Sequence, residues 1–82
     1  MNGALTRRTT LDQYAEMFGI ERWKAPAQAK WLALRNEVES ELQPGDEIWE
    51  WESEGFRELA GVCGLAIVRK GVVVRDWQLG RS

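Results

Sequence analysis

The sequence contains no histidine and a single cysteine, Cys63. One thiol cannot build an internal disulfide framework, and without imidazole the common zinc and transition-metal ligand sets cannot be assembled, so no metal or cofactor is expected. The same shortage removes the usual base for a serine or cysteine nucleophile. Cys63, between Val62 and Gly64, therefore reads as a small buried hydrophobe rather than a catalytic thiol. There is no run of about 18 apolar residues, so no membrane span is expected. Arg7-Arg8 does not open a twin-arginine signal, because Thr9, Thr10, Asp12, Gln13 and Glu16 stand where an apolar stretch is required. A cytoplasmic protein is the simplest expectation. The glycines offer no phosphate cradle either: Gly61 and Gly64 lack the further glycines and the following helix that such a loop needs.

What is present fits one small globular domain. The 82 residues are 44% hydrophobic and 29% charged, a balance that argues against disorder and leaves room for a single core. Five of the residues are tryptophan, each able to bury about 150–250 Å², which suits a core that is small and has no disulfides. The formal net charge of −2 hides a segregation. Residues 1–35 carry six basic and three acidic groups, residues 36–58 one basic and nine acidic, and residues 59–82 four basic and one acidic. An acid block flanked by two basic ones is either a solvated face that pairs with its flanks or a docking surface for a basic partner.

Local signals divide the chain into helices, then strands. Residues 1–9 show no periodicity and read as a flexible tail, followed by a single domain over 10–82. Thr10 and Gln13 fit a capping box, and Leu11, Tyr14, Ala15 and Phe18 fall on one helical face, giving a helix over about 10–18 that Gly19 ends. Residues 20–24, with Trp23, form a connection that has room for a helical turn. Pro26 suits the first position of a second helix, whose inner face reads Ala27, Trp31, Leu34, Val38 and Leu42. Pro44-Gly45 breaks it. The alternation from Glu47 onward then makes a strand over 47–53, with Trp49 and Trp51 on one face and Ile48, Glu50 and Glu52 on the other. Phe56, Leu59 and Ala60 suggest one helical turn ended by Gly61. Strands over 62–69 and 72–79 follow, joined by Lys70-Gly71 in a type I′ turn. That turn places Ile67 opposite Val74 and Leu65 opposite Asp76. On the other face it sets Ala66 opposite Arg75 and Gly64 opposite Trp77, the ring of Trp77 covering the glycine.

The possible chemistries thin out quickly. Glu50 and Glu52 lie about 7 Å apart on one strand face, near the spacing of paired catalytic carboxylates, but alternating Glu is also an ordinary solvated strand pattern that discourages aggregation. The hairpin Arg69-Lys70-Gly71 with Arg75 and Trp77 is the best nucleic-acid feature. Glu37, Glu39 and Glu41 on the helix that would have to enter a groove count against it.

Residues 42–74 resemble a group of small uncharacterised bacterial proteins that combine Leu-x-Pro-Gly-Asp-Glu-Ile-Trp-Glu-Trp (here 42–51), Leu-Ala-Gly (59–61) and Gly-Leu-Ala-Ile-Val-Arg-x-Gly (64–71). The resemblance implies a small α+β domain of bacterial or phage origin. It carries over no functional residue.

The expectation is therefore an α+β domain with two helices packed on one face of a three-stranded antiparallel sheet, in the order α-α-β-β-β, strand 62–69 being central. Its expected role is a non-enzymatic interaction or regulatory domain. It would bind a protein partner or a second copy of itself through Trp49, Trp51 and Trp77, with Glu50, Glu52 and Arg75 around them. The alternatives are a sugar or aromatic ligand stacked on exposed Trp, and nucleic acid on the 69–75 hairpin.

Overall fold

The charge blocks of the sequence reappear as neighbouring strands. In the computed structural model, which describes residues 3–55 and 61–81, the order is β1 (Gly3–Thr9), α1 (Leu11–Met17), a 3-10 turn (Ile20–Arg22), α2 (Ala25–Glu41), β2 (Glu47–Ser53), β3 (Val62–Arg69) and β4 (Val72–Arg81). The four strands form one antiparallel sheet in the order β1-β2-β3-β4. Two compact units result: Thr10–Pro44 holds the helices, and residues before and after it hold the sheet.

The α+β class and the two helices are as expected, but the sheet has four strands rather than three. The stretch expected to be a flexible tail is β1, and it ladders onto β2 from Gly3↔Ser53 to Thr9↔Ile48. Its strand character was hidden because a bulge between Leu5 and Arg7 interrupts the alternation and most of its side chains are exposed. The acidic strand and the basic strand attract each other directly. The Arg7 Nε donates to Glu50 Oε2 at 2.8 Å, Arg8 approaches Glu47 at 3.4 Å, and the Thr6 hydroxyl donates to the Glu50 carbonyl. Consequently β2 is an interior strand, and the edges are β1 and β4.

Local chemistry sets the element ends. The Thr10 side chain accepts from the Gln13 N–H at 3.1 Å, and Gly19 sits in the left-handed region just past α1. Pro26 occupies the first turn of α2, where its missing N–H costs no helical bond. Lys70 and Gly71 both have positive φ, as a type I′ hairpin requires. The helical turn expected around Phe56, Leu59 and Ala60 lies outside the described residues.

One register step differs from expectation and moves a tryptophan. Arg69↔Val72 and Val68↔Val73 pair as the turn dictates, but Val74 then bulges, so that Ile67 meets Arg75, Ala66 meets Asp76 and Leu65 meets Trp77. A single extra residue swaps the faces of everything beyond it. Trp77 thus shares a face with Leu65, Ile67, Glu50 and Arg75, and not with Trp49, Trp51 and Gly64. The indole that covers Gly64 is Trp51 instead: Trp51 pairs with Gly64, and its Nε1 donates to the Leu65 carbonyl at 3.1 Å. Gly64 through Val68 are all buried, so β3 is covered on both faces.

Candidate functional site

The six residues expected to form an interaction surface do not gather. Trp49 and Trp51 lie on one face of the sheet, whereas Glu50, Glu52, Arg75 and Trp77 lie on the other. Trp51 and Trp77 are only 3% and 9% exposed and Trp49 is half-buried, with its Nε1 donating to Glu47 at 3.0 Å. These rings contribute core area rather than an open stacking platform. Glu50 is engaged by Arg7, and Asp46, with only 1% of its side chain exposed, takes both arms of the Arg69 fork at 2.9 Å. Those hydrogen bonds, with the Asp46 charge behind them, hold the Arg69 pKa above its ordinary value. Arg75 lies over the Trp77 ring at 5.0 Å from its centroid. Asp46, Glu47 and Glu50 of the acid block and two cations of the 69–75 hairpin are thus engaged within the sheet unit.

Cys63 is half-buried and pairs with Glu52 across the ladder. Burial pushes its thiol pKa up, and the nearby carboxylates of Glu52 and Glu50 push it further, the opposite of what a nucleophilic cysteine needs. No cluster of three or more metal-ligating side chains occurs among the described residues. No described helix is long and apolar enough to cross a membrane.

The helical unit presents a different surface. Tyr14 and Trp31 stack with centroids 5.6 Å apart, and Phe18 tilts against Tyr14 at 4.6 Å, so an aromatic row joins α1 to α2. Around it a concave region of about 1110 Å³ is lined by Met17, Phe18, Trp23, Trp31 and Leu32 among others. Four of its apolar side chains are open to water: Met17 and Phe18 are 46% exposed, Trp23 40% and Leu32 58%.

The walls of this groove are fixed by polar contacts that leave its apolar centre uncovered. Arg35 Nη2 donates to Asp12 at 2.6 Å and its Nε donates to Glu39 at 2.9 Å, bracing the start of α1 against α2. These bonds, Asp12 first, hold the Arg35 pKa above its ordinary value. At the other end the Gln28 amide donates to the carbonyls of Ile20 and Glu21, and the Trp23 indole donates to the Phe18 carbonyl. The corner carbonyls are therefore already occupied.

The sequence contained this surface in pieces. Phe18 is the fourth member of the α1 stripe by spacing, but the helix ends at Met17 and Phe18 becomes its C-cap, 46% exposed. Gln28, Trp31, Leu32 and Arg35 share a second face of α2 at spacings of three, four and seven, masked because both of its end positions are polar. An apolar pair at a helix end, followed by a tryptophan in a short connection, was the available signal. No known protein-family model, curated protein or solved structure matches the chain.

Proposed function

We propose that this protein is a non-enzymatic interaction domain whose helical unit docks an amphipathic helix of a protein partner. The observation that carries the reading is the groove of Met17, Phe18, Trp23 and Leu32, each of them 40% or more exposed, since large apolar side chains left together in water mark interaction sites. Aromatic residues and methionine are also the types enriched at interface centres, methionine because its flexible thioether adapts to the partner.

Backbone bookkeeping selects the form of the occupant. The groove is walled by helices whose amides bond internally, and the carbonyls of Phe18, Ile20 and Glu21 at its corner are taken by Trp23 and Gln28. An extended segment would leave its own N–H and C=O groups unsatisfied when buried there. A helix brings its backbone already paired and needs only an apolar stripe. A second copy of the same surface is the less favourable occupant, because it would bring two open carboxylates, Glu16 and Glu21, against their like with one guanidinium, Arg22, on each side to offset them. The sheet edges do not offer a competing site of equal quality: β1 carries Arg7 and Arg8, and β4 is bent by two bulges.

The test uses Trp23 as reporter. A Trp-free amphipathic peptide, titrated into the protein, is expected to shift Trp23 emission and shield it from acrylamide, with Trp23→Phe losing the response and Leu32→Ser weakening binding at least tenfold. Binding that survives Leu32→Ser and Phe18→Ser unchanged would place the interaction elsewhere. A dimer by light scattering that Leu32→Ser dissociates would replace the partner with a second copy.

A further inference from the structure

The groove has a sign. Its lining contains Asp12, Glu16 and Glu21 against Arg22 and Arg35. Arg35 and Asp12 pair with each other, Arg35 also reaching Glu39, so that pair cancels within the unit and leaves Glu16 and Glu21 against the exposed Arg22. Neither the Glu16 nor the Glu21 side chain has an ion-pair or hydrogen-bond partner among the described residues, and both are exposed. Asp12 and Glu16 stand four apart on α1, one turn of the same face, while Glu21 stands on the 3-10 turn at the other end of the apolar patch. The exposed Met17, Phe18, Trp23 and Leu32 therefore lie beside two open carboxylates, Glu16 and Glu21, and one guanidinium, Arg22.

We infer that the partner helix is basic: a segment with an apolar stripe for the groove and Lys or Arg on its flanks, selected by Glu16 and Glu21. This rests on the docking proposed above and adds the selection rule to it. The two parts have different physics. Apolar burial supplies affinity that salt does not screen, whereas exposed carboxylates at the rim supply discrimination and encounter rate that salt does screen. A rim of this sign also rejects acidic amphipathic helices, which would otherwise fit the same apolar stripe.

Three synthetic 18-residue peptides with one leucine stripe and a polar face of Lys, Gln or Glu separate these parts when titrated calorimetrically into the full chain. At low salt the Lys peptide is expected to bind about three- to tenfold more tightly than the Gln peptide, and the Glu peptide more weakly than either. Glu16→Gln with Glu21→Gln is expected to bring the Lys peptide down to the Gln peptide while leaving the Gln peptide's affinity unchanged, as raised salt should also do. Glu54→Gln, an exposed carboxylate outside the groove lining, is expected to leave the ranking untouched. Equal binding of Lys and Gln peptides overturns the basic-partner inference and leaves the docking reading standing. A Glu54→Gln effect as large as that of the rim pair overturns it too, because net charge would then account for the preference. Failure of all three peptides to bind overturns both readings.

Discussion

Replacing Gly64 with alanine puts a methyl group where the neighbouring strand already has backbone. A Cβ built at Gly64 collides with the Trp77 carbonyl oxygen and stands 2.9 Å from both the Trp77 carbonyl carbon and the Trp51 indole nitrogen. No rotamer change relieves a clash with a main-chain oxygen, so β3 and β4 must separate near Leu65↔Trp77 and the Trp51 bond to the Leu65 carbonyl must stretch. Overpacking a tight core costs about 1–3 kcal/mol, and each weakened hydrogen bond adds about 0.5–1.5 kcal/mol. The lower chain entropy of alanine in the unfolded state returns about 0.4–1 kcal/mol. The net expectation is a loss of about 2–3 kcal/mol, which in a domain of this size lowers Tm by about 10–20 °C. Gly80→Ala is the matched control, since its nearest obstacle is the Cys63 Sγ at 3.4 Å, the free end of a side chain that can turn away. Urea unfolding followed by tryptophan fluorescence, with Trp51 and Trp77 as buried reporters, measures both variants. A Gly64→Ala protein within 0.5 kcal/mol of the parent, or a Gly80→Ala protein destabilised equally, would refute the close approach of β3 and β4 at this point; the threshold is about the usual scatter of harmless substitutions.

Two further predictions follow from the sheet. A double-mutant cycle on Arg7→Ala and Glu50→Ala is expected to give a coupling of about 0.5–1 kcal/mol that shrinks in 0.5 M salt, because Arg7 remains 57% exposed while Glu50 is only 15% exposed; strict additivity would mean that β1 is not held to β2 by this pair. For Cys63, the pH dependence of iodoacetamide alkylation is expected to inflect above that of a short cysteine peptide, because burial and then Glu52 and Glu50 disfavour the thiolate. The linked stability change has a definite sign. The unfolded thiol loses its proton first, so stability is unaffected below the ordinary thiol range and falls as pH rises between the unfolded and the folded value. A Cys63→Ala variant lacking that alkaline decline, against a parent that shows it, verifies the assignment, and an inflection at or below the peptide's contradicts it.

The edge strand and the groove show where reading the sequence stops. Strand β1 has the composition of a tail, since Arg7, Arg8, Thr6 and Thr9 make no apolar stripe and a bulge breaks what alternation there is. It becomes a strand because an acidic β2 more than forty residues away offers it both hydrogen-bond partners and counter-charges. The groove was missed for a related reason: Phe18 continues the helical spacing of Leu11, Tyr14 and Ala15, and only the point at which the helix ends decides whether it enters the core or faces water.

What the sequence determined by itself is what neighbouring residues settle among themselves. Thr10 with Gln13 starts α1 and Gly19 ends it, Pro26 opens α2, Gly45 turns the chain, and Lys70-Gly71 folds β3 onto β4, since each acts through dihedral preferences and hydrogen bonds spanning a few residues. Alternation likewise separated Trp49 and Trp51 from Glu50 and Glu52. Only the tertiary structure decided that β1 completes the sheet, that the bulge at Val74 carries Trp77 to the face opposite Trp51, and that Met17, Phe18, Trp23 and Leu32 meet around one groove. Those outcomes depend on which distant backbones pair, and in what register. One inserted residue in a ladder reverses every face beyond it, while leaving the local propensities on either side unchanged.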